Sequence, residues 1–135
     1  MLNTESTVTS ADDRAAIRFV APYPPSANRY LRHTSRGTYR TADANRYRAT
    51  VAKIARAGGA ILMSGDVSMT AILHPRLTLA GKPSKACLDL DNCVKVICDA
   101  LQGICYTNDS QVQHISLTRG APIKGGGISL EIVHA

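Results

Sequence analysis

Two aspartates one residue apart, in Asp89-Leu90-Asp91-Asn92, are the residues whose spacing most directly suggests chemistry in this chain. At the start of a helix both carboxylates can turn toward one point, and hard cations such as magnesium take oxygen ligands of this kind. A site for phosphodiester cleavage commonly holds its metal through a few carboxylates and leaves positions for water and phosphate. Two carboxylates make a thin site, so a third is expected. Asp109 is the candidate, because a short extended segment after the helix would bring the chain back beside the helix start. Lys95 follows Asp91 by four residues and so shares its helical face. Beside a metal, its ammonium would stabilise charge on a phosphorane-like transition state or orient the attacking water.

Plainer readings of the same residues stand beside this one. Asp89 fits an N-cap, Asp91 a first-turn carboxylate favoured by the helix dipole, and Asp91 with Lys95 a surface ion pair. A D-x-D also occurs in calcium loops and in sugar-transferring enzymes. Asn92 and Asp99 flank the Asp91–Lys95 face, with Asp99 expected to be structural, and Val94, Ile97, Cys98 and Leu101 form the expected buried side. No glycine-rich loop opens a helix to hold a nucleotide phosphate, since Gly125-Gly126-Gly127 joins two strand candidates. His33, His74, His114 and His134 show no i, i+4 pairing. Cys87, Cys93, Cys98 and Cys105 lack a C-x-x-C pair and read as small buried hydrophobes in a reducing compartment.

These residues need a scaffold, and 135 residues suffice for one domain with its own core. With no tryptophan and Phe19 as the single phenylalanine, that core rests on aliphatic residues and some of the five tyrosines. Residues 1–15 are polar, without apolar periodicity, and read as a flexible extension; the start lacks the pattern of a signal peptide. Ala16–Ala21 reads as a strand, Ser26–Arg40 as a long basic loop, and Thr41–Ala57 as a helix capped by Thr41 with Tyr47, Val51, Ile54 and Ala55 inward. Gly58-Gly59 ends it. Val67–Leu73 is a second strand, Pro75–Ala86 a loop, and Asp89 or Leu90 begins a second helix reaching Leu101, with Gly103 as its stop. Ile104–Tyr106 reads as extended, Thr107–Ser110 as a turn, and Val112–Leu117 and Gly127–Val133 as two antiparallel strands. The expected architecture is a single compact α/β (α+β) domain, a small mixed sheet of about four strands with two main helices.

Charge is segregated along this frame. The net charge of +6 suits a polyanionic partner. Arg29, Arg32, Arg36, Arg40, Arg46, Arg48, Lys53 and Arg56 stand against Asp43 alone, whereas Asp89, Asp91, Asp99 and Asp109 stand against Lys95 alone. One surface is thus suited to grip phosphates and another to hold divalent cations. Arg46, Lys53 and Arg56 share the outer side of the first helix, and Tyr30 and Tyr39 are placed to stack on unpaired bases or to pack on the domain. No apolar stretch approaches a membrane span, and a cytoplasmic location is expected.

Four short motifs occur in order: Pro24-Pro25-Ser26-Ala27-Asn28-Arg29-Tyr30, Asp89-Leu90-Asp91-Asn92-Cys93-Val94-Lys95, Asp99-Ala100-Leu101, and Asn108-Asp109-Ser110-Gln111-Val112. In this, from about Phe19 to Val133, the chain resembles the RusA-type Holliday junction resolvases. The resemblance implies an α/β homodimer that binds four-way DNA junctions and nicks two opposed strands with magnesium or manganese. It makes Asp89, Asp91 and Asp109 the metal-binding aspartates and Lys95 the catalytic lysine. Cys87-Leu88 stand where family members often carry arginines, and Asn108 where a second acid is common. DNA contacts are expected from Asn28, Arg29, Arg32, Arg36, Arg46, Lys53, Arg56, Arg76, Lys82 and Lys85. The alternative is a non-catalytic basic nucleic-acid-binding module whose aspartates only cap a helix.

Overall fold

The computed structural model describes residues 16–135, so the expected extension over residues 1–15 lies outside the described residues. Strict alternation builds the sheet. In β4 (Val67–His74), Val67, Met69, Ala71 and Leu73 are buried while the residues between them face outward. The same period-2 pattern in β1 (Ile17–Ala21) and β6 (Gly127–His134) buries Ile17, Ala21, Ile128, Leu130 and Ile132. On the outer face, Arg18 and Glu131 sit directly across from each other on β1 and β6 and pair at 2.6 Å.

The strand order is β1-β6-β4-β5, with β5 spanning Val112–Arg119. β6 pairs antiparallel with both β1 and β4, and β5 lies parallel to β4. The last two strands therefore run antiparallel but are not neighbours, because β4 lies between them. The reason is the connection: a strand followed by a helix and another strand crosses over to a parallel position.

Two main helices supply the other layer. α2 (Ala42–Ala57) begins at Thr41, whose side chain accepts from the Ala44 amide, and buries Ala44, Tyr47, Val51 and Ala55. Ile54 is only half-buried. At its end Gly59 takes a left-handed φ of +91°. α3 (Leu90–Ala100) buries Cys93, Val96, Ile97 and Ala100, with Leu101 following. Val94 and Cys98, expected inward, are half-buried, because the inward side centres on Cys93, Val96 and Ala100.

The expected loop Ser26–Arg40 instead holds three elements: α1 (Ala27–Tyr30), β2 (Leu31–Thr34) and β3 (Gly37–Arg40). Ser26 caps α1 through the Arg29 amide, and β2 and β3 form a separate antiparallel hairpin. Tyr30 packs fully into the core, which withdraws it from base stacking, while Tyr39 stays 51% exposed. Ile104–Tyr106 folds as a buried turn after α3 rather than an extended segment. Cys93 and Cys105 are buried, Cys87 and Cys98 half-buried, and all four are free thiols. No helix among the described residues is long and apolar enough to cross a membrane.

Candidate active site

The segment leading into α3 is fixed before its carboxylates are reached. Tyr23, in the Pro22–Pro25 run after β1, accepts the Leu88 amide on its hydroxyl at 2.8 Å. The Arg119 guanidinium at the end of β5 donates to the Leu88 carbonyl at 3.0 Å. Gly126 permits this arrangement: its φ is +73°, and a Cβ there would lie 2.7 Å from the Tyr23 ring.

Asp89 then stands at the N-cap position of α3 with extended backbone, yet its side chain makes no capping hydrogen bond. Asp91 follows in the first turn and Lys95 one turn later, both exposed. The Asp91–Lys95 ion pair of the plainer reading is not formed. Asp43, Asp99 and Glu131 are each held by an arginine, so Asp89, Asp91 and Asp109 share with Asp66 alone, among the described acids, a carboxylate left without hydrogen bond or ion pair.

Asp109 opens a 3-10 turn (Asp109–Gln111) that its neighbours build. Asn108 accepts from the Ser110 amide, and Gln111 accepts from the Asn108 amide. The Gln111 amide reaches back to the carbonyls of Met63 and Gly65, at 2.8 Å each. Gln102 accepts the Asp109 amide at 3.0 Å and ties the turn to the end of α3. The Asp109 charge acts on Cys98, whose thiol burial first and that charge second push up to about 11. Asp91, Lys95 and Cys98 follow one another along one helical stripe at i, i+4 and i+7. The structure thus sets Asp89 and Asp91 at one end of the stripe and the Asp109 turn beside the other, with Lys95 between. Among the described residues, no three His, Cys, Asp or Glu side chains are gathered to hold one metal ion.

Asp99, on the flank of this stripe, is a structural hub that joins three elements. It accepts two bonds from Arg40, at 2.7 and 2.9 Å, the Tyr30 hydroxyl at 2.6 Å and the Gln102 amide at 3.1 Å. Burial works to raise its pKa, but the Arg40 and Tyr30 hydrogen bonds outweigh it and hold the carboxyl below the ordinary range. The β2–β3 hairpin is thereby pinned to α3.

All ten residues assigned to DNA contact are exposed. Asn28 and Arg29 lie on α1, Arg32 on β2 and Arg36 in the hairpin turn. Asn28, Arg29 and Arg32 line an open groove of about 640 Å³ between α1, β2 and the start of α2. Across Asp43, which Arg29 and Arg46 both engage, a second groove of about 320 Å³ continues past Arg46 to Arg76. Arg76 stacks 4.1 Å over the Tyr23 ring. This basic track therefore ends on the tyrosine that holds Leu88, one residue before Asp89. Lys53 and Arg56 continue along α2 by roughly 10 and 15 Å from Arg46. Lys82 and Lys85 lie in the loop between β4 and α3. Sequence reasoning missed Tyr23 and Arg119, whose parts in the site come from chain-distant hydrogen bonds without a local pattern.

A small mixed sheet with helices on one face, carrying unpartnered carboxylates and exposed arginines, defines a single α+β domain. The profile of the family described as endodeoxyribonuclease RusA matches residues 22–132, and the chain belongs to that family. It is 33% identical to the crossover junction endodeoxyribonuclease of Enterobacteria phage 82 over 112 residues, covering 82% of this chain and 88% of the phage protein. The protein of the same name from phage HK97 is 30% identical over 116 residues, 85% and 92% of the two chains. That of Escherichia coli K12 is 33% identical, over 82% and 88%.

Proposed function

We propose that this chain is a structure-specific endodeoxyribonuclease that resolves Holliday junctions in DNA recombination and repair, nicking two opposed strands as a homodimer with magnesium, or manganese, as cofactor. The observation that carries the reading is the state of Asp89, Asp91, Asp109 and Lys95. The side chains of all four are exposed and, among the described residues, without hydrogen-bond or ion-pair partners, and Asp89 stands at a cap position without capping. A module whose aspartates only cap a helix would spend Asp89 on an amide.

Exposed carboxylates free of cationic partners match the donor chemistry of a hard divalent ion. Asp89 and Asp91 would hold it, with Asp109 joining from its turn. Bound there, the ion would lower the pKa of a water molecule and offset charge on the scissile phosphate. Lys95, between the two ends of the stripe, would stabilise negative charge gained by the phosphoryl oxygens. The track through Arg32, Arg29, Arg46 and Arg76 would hold flanking phosphates and deliver the strand toward Asp89. One nick per subunit follows from one carboxylate set per chain, and a two-fold dimer places two sets on opposed strands.

The test is incubation with a labelled four-way junction, a matched linear duplex and a flap, in magnesium, calcium or EDTA. The junction should be bound in all three conditions and cut in magnesium alone. Asp89→Asn, Asp91→Asn and Asp109→Asn should each abolish cutting with binding retained, and Lys95→Ala should lower the rate by about 10²- to 10³-fold. Full activity in any aspartate variant removes that residue from the set. A protein that binds the junction in every condition and never cuts is the non-catalytic module.

A further inference from the structure

Arg119 is the last residue of β5, the strand at the sheet edge. Its side chain crosses to the segment before α3 and gives one N–H to the Leu88 carbonyl at 3.0 Å. A guanidinium carries five N–H donors in a planar fork, so four remain. Among the described residues none of these four meets an acceptor, and the side chain is exposed. Four arginines of this fold end on carboxylates, Arg18 on Glu131, Arg29 and Arg46 on Asp43 and Arg40 on Asp99, whereas Arg48, like Arg119, gives an N–H to a backbone carbonyl, that of Gln102. Arg119 ends one residue before Asp89 and pairs with neither Asp89 nor Asp91. The cation is thus oriented, held at the residue before Asp89, and uncommitted among the described residues.

The chain itself supplies no charge at this point, since Ala86, Cys87 and Leu88 are neutral. A DNA phosphate approaching Asp89 and Asp91 meets two negative groups and needs a nearby cation against them. The fork of an arginine matches two non-bridging phosphate oxygens, a geometry that lysine lacks. Leu88 is also held through its amide by Tyr23, whose ring lies under the Arg76 guanidinium.

We propose that Arg119 is a substrate-binding residue that grips the DNA phosphate at the D-x-D, its tether to Leu88 aiming the fork; this rests on the nuclease reading above. Residue 119 lies on the far strand of the β4-α3-β5 unit, so this cation is supplied across space rather than along the chain.

The experiment measures junction binding in EDTA as salt is raised from about 50 to 200 mM, with metal and cleavage excluded. Arg119→Gln keeps an amide able to donate to Leu88 but removes the charge. It should weaken binding at low salt roughly 10-fold or more. It should also flatten the slope of log affinity against log salt by about one unit per subunit. Arg119→Lys should keep the parental slope at reduced affinity, because the charge remains and the fork is lost. Thermal melting of each variant checks the fold. If Arg119 only tethers Leu88, Arg119→Gln will bind with the parental slope and affinity, which overturns the proposal while parental cleavage still stands. A parent protein that binds no branched DNA overturns the nuclease reading and the proposal together.

Discussion

Replacing Asp99 by alanine should lower stability by about 1.5–3 kcal/mol, and the hub it occupies shows where that figure comes from. Tyr30 is fully buried and its hydroxyl donates to Asp99 at 2.6 Å. Without that acceptor the hydroxyl bears the cost of an unmet buried donor, about 1–2 kcal/mol. The Arg40 pair adds less, because its side chains keep 35% and 23% of their surface exposed and water screens them. An ion pair so placed contributes about 0.5–1 kcal/mol. Asp99→Asn leaves an acceptor for Tyr30 and should cost only about 1 kcal/mol. Urea unfolding should show lower midpoints with an unchanged slope, and the melting temperature of Asp99→Ala should fall by roughly 6–10 °C. The pH dependence carries its own sign. The folded pKa of Asp99 lies below its ordinary 3.8, so its contribution is complete above that value and disappears as pH falls through the folded pKa. Asp99→Asn should flatten the acid limb below about pH 4. An Asp99→Ala protein within about 0.5 kcal/mol of the parent would refute the hub as an energetic element.

Three further outcomes follow from the same geometry. Neutralising Arg32 and Arg36 in the hairpin together with Arg29 should flatten the salt dependence of junction binding more than neutralising Arg46, Lys53 and Arg56 on α2; equal flattening would contradict that ranking, and an unchanged slope would leave the face tested merely solvated. Sedimentation at micromolar concentration should give about twice the 14.4 kDa chain mass, and a strict monomer that cuts both strands in one encounter would contradict the dimer. Burial pushes the Cys93 and Cys105 thiols up to about 12, so both should resist alkylation at pH 8 until the protein unfolds, as a mass spectrum of the labelled chain would show.

What the sequence discloses depends on whether burial leaves a period in it. Thr41 and the run Tyr47, Val51, Ala55 mark α2 to within a residue, and Val67–Leu73 alternates because β4 has one buried face. The β2–β3 hairpin has no buried face, every residue but Leu31 being exposed, so Ser26–Arg40 carries no period and reads as loop. Strand neighbours are equally silent, since alternation in β5 and β6 says which side faces the core and nothing of what lies between them. Asp89, Asp91, Lys95 and Asp109 are conspicuous by type and spacing. Tyr23 and Arg119 are not, because each reaches Leu88 through a hydrogen bond across 65 and 31 residues.

The position of β6 has a consequence for synthesis. Among the described strands β6 is the sole partner of β1 and one of the two flanking β4, so the first and last of them must meet before the sheet closes. At about 5–20 residues per second, translation leaves β1 waiting several seconds or more for its neighbour to emerge. Until then Tyr23, which follows β1, has no closed sheet behind it when it takes up the Leu88 amide. The sheet behind the candidate site therefore closes only once β6 has left the ribosome, however early α3 and its aspartates are made.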